Sequence, residues 1–165
     1  MWYDKDANDV LAGYSDADWA GNADDHKITS SGCFYLGNNL VSWMSKNQNS
    51  ISLSIAKAEY NTTTSCYTQL LWMQKLLLDY GICKKHLTIY CDNPSTINIS
   101  KNLVQYSRTK HIEIRHHFIH ELVEDDILTL KFIHTDDQTT YLFTKPLDGR
   151  RFEFLHQNIS VISLE

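Results

Sequence analysis

The chain has 165 residues and a formal net charge of −5, with 42% hydrophobic and 12% aromatic residues. That size suits one domain spanning 1–165 with one core, and that composition excludes a disordered tail. No run approaches the roughly 18–20 apolar residues that cross a membrane. The start, Met1 to Asp6, has no apolar stretch of the signal-peptide kind.

Residues 10–15 (VLAGYS) form a short apolar run ending in Asp16-Ala17-Asp18 and predict a first strand. Residues 31–36 and 40–45 are rich in aromatic and branched side chains, and Gly37-Asn38-Asn39 between them is a hairpin signal. The chain therefore opens as three antiparallel strands. From 54 to 80 the pattern changes to a long helix, with Leu70, Leu71, Met73, Leu76 and Leu77 at helical spacing and Gly81 as its stop. Residues 86–91 (HLTIYC) read as a buried central strand. Asp92-Asn93-Pro94-Ser95 starts a helix, with Pro94 near its first position. Residues 110–125 form an amphipathic helix with Ile112, Phe118, Ile119, Leu122 and Val123 on its apolar side, and 128–133 (LTLKFI) a fifth strand. A short helix follows Asp136-Asp137, limited by Pro146, and 151–159 suits one more. The order β-β-β-α-β-α-α-β-α implies an α/β fold with a mixed five-stranded sheet flanked by helices.

Cys33, Cys66, Cys83 and Cys91 form no CxxC pair, which argues against a zinc knuckle. A chain of this size builds its own core without disulfides. The cysteines read as reduced, mostly buried thiols of an intracellular protein, cytoplasmic or nuclear.

Three carboxylates stand at informative places. Asp16 ends the first strand, Glu59 lies in the first turns of the long helix, and Asp92 ends the fourth strand. If those strands are neighbours, Asp16 and Asp92 face each other at one sheet end, where α/β folds place their sites. Carboxylates that close repel unless a cation sits between them. Hard oxygen ligands suit Mg²⁺ or Mn²⁺. Two such ions about 4 Å apart can activate water and stabilise a leaving oxygen in phosphodiester cleavage. The alternative is that these residues are solvated or cap helices, Asp92 above all as an N-cap. The acidic total argues against strong non-specific affinity for nucleic acid, but not against a nuclease, whose clustered carboxylates await a metal.

A series of motifs carries a resemblance. Residues 13–21 (GYSDADWAG), 27–32 (KITSSG), 40–43 (LVSW), 46–48 (KNQ), 58–60 (AEY), 89–93 (IYCDN), 109–119 (TKHIEIRHHFI) and 143–147 (FTKPL) occur in that order over nearly the whole chain. The chain resembles the ribonuclease H domain of copia-type LTR retrotransposon polyproteins of the plant-like kind. The resemblance implies a ribonuclease H-like fold and a metal-dependent endonuclease that hydrolyses the RNA strand of RNA–DNA hybrids, leaving a 5′-phosphate. It implies that Asp16, Glu59 and Asp92 ligate Mg²⁺ or Mn²⁺, with Asp18 as the alternative first ligand. It also implies an RNA–DNA hybrid and the reverse transcriptase portion of a polyprotein as partners.

The chain departs from that pattern. Related domains carry a fourth carboxylate in a D-Q-L-A-D-I-F-T-K-like string. Here 137–145 reads DQTTYLFTK, with Tyr141 where the last Asp belongs. A phenol with a pKa of about 10 replaces a carboxylate poorly, which puts a second metal in doubt. Asp136 or Asp137 substitutes if the helix start shifts. Lys57 stands where an acidic or small residue is usual, and His120 where an Arg is common. Two readings stay open: a nuclease impaired at the fourth carboxylate, or a catalytically inactive nucleic-acid-binding or protein-interaction module on the same fold.

Arg108, Lys110, His111 and Arg115 form the best local basic patch and suit phosphate contacts. The alternative is a solvated helix face. His116 and His120, four apart, suit one metal, or with His117 simply a polar face beside the groove. Trp19, Trp43 and Trp72 read as core or near-core packing rather than a stacking platform. Lys145, Arg150 and Arg151 read as a small solubilising group.

Overall fold

The computed structural model describes residues 10–18, 28–48, 54–101 and 113–159, and for 113–118 the backbone only. Trp19, Lys27, Arg108, Lys110, His111 and Ile112 lie outside the described residues, as do the side chains of Arg115, His116, His117 and Phe118.

Five strands form one sheet: β1 (Leu11–Asp18), β2 (Thr29–Leu36), β3 (Asn39–Asn47), β4 (Leu87–Cys91) and β5 (Leu128–Phe132). Their spatial order is β3-β2-β1-β4-β5. The first three pair antiparallel, while β4 runs parallel to both β1 and β5. The helices are α1 (Ile55–Asp79), α2 (Pro94–Lys101), α3 (Glu113–Glu124) and α4 (Gly149–Asn158). This is the mixed five-stranded sheet that the element order predicts.

The long helix starts where Ser54 caps it, its Oγ accepting from the Lys57 N–H at 3.3 Å. It stops at Gly81, whose φ of 79° is the left-handed conformation that only glycine adopts without strain. There the Ile82 N–H bonds back to the Leu77 carbonyl at 2.9 Å. The face of α1 carrying Tyr60, Tyr67, Leu70 and Met73 packs on the sheet with Phe34, Ile89, Ile97, Ile119, Leu128 and Leu130. Gly32 lets helix and sheet come close, since a Cβ there would sit 2.7 Å from the Cys66 sulfur.

Several expectations need correction. Trp72 points to solvent from the outer face of α1, 58% exposed. Trp43 is 57% exposed, because β3 is an edge strand and only Leu40 of its side chains is buried. Its ring stacks on Phe143 at 6.1 Å. The segment around and after Asp137 forms two 3₁₀ turns, Thr135–Asp137 and Thr139–Phe143, instead of an α-helix. Thr139 and Thr140 favour this, being poor helix formers. The strand β1 also runs on to Asp18, because Ala17 and Asp18 pair with Ser30 and Thr29. The four cysteines are free thiols, and Cys33, Cys66 and Cys91 are buried. Among the described residues no helix is long and apolar enough to cross a membrane.

Candidate active site

The parallel pairing of β1 and β4 sets the site. Its register matches Ser15 with Cys91. The next residue on each strand, Asp16 and Asp92, therefore emerges side by side at one end of the sheet. Alternation along β1 sends Gly13, Ser15 and Ala17 toward α1, and Tyr14 and Asp16 to the opposite face. On the α1 side, Gly13 touches Leu70 and the Ser15 hydroxyl lies 3.2 Å from that of Thr63. The Ala17 N–H donates to Glu59 Oε1 at 3.2 Å. That bond ties the second turn of α1 to β1 and brings Glu59 beside the strand ends. Asp16, Asp18, Glu59, Asp92 and Lys145 line one open cleft.

Asp92 does not cap α2. Asn93 does, its Oδ1 accepting from the N–H groups of Ser95 and Thr96 at 2.9 and 3.3 Å. The Asp92 carboxylate is left to the cleft, where its Oδ2 accepts from the Tyr141 hydroxyl at 2.6 Å. Tyr141 thus reaches the cluster at the position where the sequence places a missing carboxylate. Asp136 and Asp137 do not. Asp136 is exposed and pairs with His134 at 3.3 Å and Arg151 at 3.9 Å. Asp137 lines a separate pocket with Tyr14, Tyr35 and Tyr90. The cause is the break between the two 3₁₀ turns, where the second turn, not the first, carries its side chains to the strand ends.

Asp16 is 1% exposed and already engaged on both oxygens. Thr144 Oγ1 donates to Oδ2 at 2.6 Å, and Lys145 Nζ lies 3.3 Å from Oδ1. The Lys145 ammonium also sits 3.5 Å from the centre of the Tyr141 ring. Sequence reasoning missed Lys145, reading it as a surface charge. The signal was its place four residues after Tyr141, within the same string. Lys57, half-buried on α1, is not among the residues lining the cleft.

Glu59 is 4% exposed, and its Oε2 has no hydrogen-bond partner among the described residues. Burial foremost, then the Asp16 and Asp92 carboxylates, push its carboxyl up to about 9. Burial also raises Asp16, against the lowering pull of Lys145 and Thr144. A buried carboxylate oxygen without a partner, beside two further carboxylates, is the donor set a hard divalent cation requires, and such an ion would reverse this repulsion. Glu59, Asp92 and the Cys91 sulfur lie within 4.8 Å of one another. Burial pushes the Cys91 thiol up to about 12, so it stays protonated and is a poor partner for a hard ion. Its sulfur instead accepts from the Asn93 N–H at 3.4 Å.

Of the histidine pair only the His120 side chain is described, and both its ring nitrogens are engaged. His120 is 7% exposed, with Nδ1 3.0 Å from the Ser100 carbonyl oxygen and Nε2 3.1 Å from Glu124. Nδ1 joins α3 to α2 and Nε2 pairs within α3, so the buried His120 is part of the packing and not of a polar face beside the groove. Of the basic patch, Arg115 lies on α3, but its side chain and the other three residues are outside the described residues.

No protein-family model matches the chain. The retrovirus-related Pol polyprotein from transposon TNT 1-94 of Nicotiana tabacum is 34% identical over 154 residues, 93% of this chain and 12% of that polyprotein. The corresponding polyprotein from transposon RE2 of Arabidopsis thaliana is 38% identical over 155 residues, 93% of this chain and 11% of the polyprotein. The chain thus spans about an eighth of the length of these relatives. Among solved structures, LC11-RNase H1, isolated from compost by a metagenomic approach, superposes with a TM-score of 0.58 at 13% identity, covering 93% of this chain and 97% of that one. The same protein in complex with an RNA/DNA hybrid gives a TM-score of 0.53 at 11% identity over 78% of this chain and 88% of that one. The chain is homologous to a segment of the Pol polyproteins of copia-type retrotransposons, and it has the ribonuclease H fold.

Proposed function

We propose that the chain is a metal-dependent ribonuclease H that hydrolyses the RNA strand of RNA–DNA hybrids, within a polyprotein that also carries a reverse transcriptase. The observation that supports this most is the shared cleft of Asp16, Glu59 and Asp92, in which Glu59 keeps a buried oxygen without a partner among the described residues and lies close to Asp92. Glu59 and Asp92 would hold Mg²⁺ or Mn²⁺, with Asp16 beside them at the end of β1. Such an ion, when bound, would supply a more acidic water and offset charge on the scissile phosphate. The protein's part is positioning. The Ala17 N–H orients Glu59 through Oε1 and leaves Oε2 for the ion. Thr144 holds Asp16, and Tyr141 holds Asp92. Phosphates along the hybrid meet Arg108, Lys110, His111 and Arg115. Cleavage of a labelled hybrid by the wild type with Mg²⁺ or Mn²⁺, and its loss in Asp92→Asn, tests this reading.

A second reading has its own observation. Hydrogen bonds and an ion pair from Tyr141, Thr144 and Lys145 already occupy Asp16 and Asp92. On that reading the chain binds nucleic acid or another protein without cutting. Hybrid binding with no cleavage in Mn²⁺ is its outcome.

A further inference from the structure

Lys145 sits in the carboxylate cluster itself. Its ammonium bridges two partners, 3.3 Å from Asp16 Oδ1 and 3.5 Å from the centre of the Tyr141 ring, and that ring's hydroxyl donates to Asp92 at 2.6 Å. The bridge therefore runs from Asp16 through Lys145 and Tyr141 to Asp92. It leaves the Glu59 side of the cluster with the unpartnered oxygen.

The segment that carries Lys145 is pinned. Gln138, fully buried, donates from Nε2 to the Ser15 carbonyl at 2.9 Å. The Ser31 and Ser45 hydroxyls donate to the Thr140 and Phe143 carbonyls at 3.2 and 2.9 Å. The Lys145 N–H bonds to the Tyr141 carbonyl at 3.1 Å. Backbone and side chain together hold the ammonium in place, and its side chain is only 31% exposed.

Charge follows from this geometry. Four carboxylates, Asp16, Asp18, Glu59 and Asp92, line the cleft against the one ammonium of Lys145, so the ionised cluster keeps a net negative charge that a divalent cation offsets. A second divalent ion would meet a fixed cation and an aromatic ring where related domains have an acidic residue. We propose that this is a one-metal site, in which the Lys145 ammonium stands as the second cation, seated on Tyr141 and Asp16, while Glu59 and Asp92 take the single divalent ion. The proposal rests on the metal-dependent reading above.

The test counts ions. Mn²⁺ bound to the full chain is measured by equilibrium dialysis and by the loss of its free-ion electron paramagnetic resonance signal. Wild type, Lys145→Gln, Lys145→Arg and Asp92→Asn are compared, with circular dichroism confirming that each is folded. The proposal expects one ion in the wild type and in Lys145→Arg, and a second ion, or at least tenfold tighter binding of the first, in Lys145→Gln. Two ions in the wild type would overturn the one-metal proposal and leave the hydrolase reading standing. One ion of equal affinity in wild type and Lys145→Gln would overturn the role of Lys145 alone. No ion in any of the proteins, or equal binding by Asp92→Asn, would remove the metal site and this proposal with it.

Discussion

Replacing Tyr141 by aspartate tests the design of the site most sharply. The substitution removes the hydroxyl that donates to Asp92 at 2.6 Å and the ring beneath Lys145. A hydrogen bond to a charged acceptor in a half-buried place contributes about 1–1.5 kcal/mol. A cation–π contact at such exposure contributes about 0.5–1 kcal/mol. The new carboxylate faces Asp92 across a partly wet cleft, a repulsion between the roughly 1 kcal/mol of bulk water and the roughly 4 kcal/mol of a protein surface at contact distance. Together these predict a loss of about 3 kcal/mol without metal, or about 6–12 °C in Tm for a chain of this size. Saturating Mn²⁺ restores most of it, since an ion at a hundred times its Kd adds about 2.7 kcal/mol. Thermal melts of wild type and Tyr141→Asp, with chelator and with Mn²⁺, read both terms, and hybrid cleavage is followed alongside. The expected pattern is a less stable metal-free variant, a larger Mn²⁺ shift than in wild type, and faster cleavage. A variant as stable as wild type in chelator and unmoved by Mn²⁺ would refute the placement of Tyr141 at the cation site.

Further outcomes follow from other parts of the molecule. Gly32→Ala forces a Cβ to 2.7 Å from the Cys66 sulfur, and denaturant titration should show a loss of about 1–3 kcal/mol. His120→Ala strands the Ser100 carbonyl and should cost about 1–3 kcal/mol by the same measurement. Calorimetric titration with Zn²⁺ should reveal no site that disappears with that change. Trp72→Ser, on the solvent side of α1, should stay within about 0.5 kcal/mol of wild type in a denaturant melt. Lys110→Ala with Arg115→Ala should weaken hybrid binding and shallow its salt dependence by about one unit of slope for each phosphate left without its cation, read by fluorescence anisotropy across a salt series.

The legible parts of this chain were those where local pattern and tertiary structure agree. Periodicity located α1, and glycine chemistry its end at Gly81. The run of residues 86–91 read as a central strand, and β4 lies between β1 and β5. Asp16 and Asp92 could be brought together once those strands were taken as neighbours, because a parallel register leaves both at one sheet end. Which faces are covered was less legible. Trp43 and Trp72 are apolar enough for a core, but whether a strand is an edge or a helix face is outward depends on packing that the sequence does not state locally. His120 reversed the same way, since its partner Ser100 lies on another helix and only the fold joins them. Lys145 was hidden for a related reason. A lysine beside Pro146 looks like surface charge until the 3₁₀ turn of Thr139–Phe143 directs it at Asp16.

The most direct test of the central claim is product analysis on a hybrid with its RNA strand labelled. Wild type in Mn²⁺ should cut the RNA strand and leave 5′-phosphate ends, with no cleavage in chelator. Asp92→Asn and Glu59→Gln should each abolish it while remaining folded. Cleavage that persists in chelator or in both variants, or a wild type that binds the hybrid and leaves its RNA intact in Mn²⁺, would contradict the account.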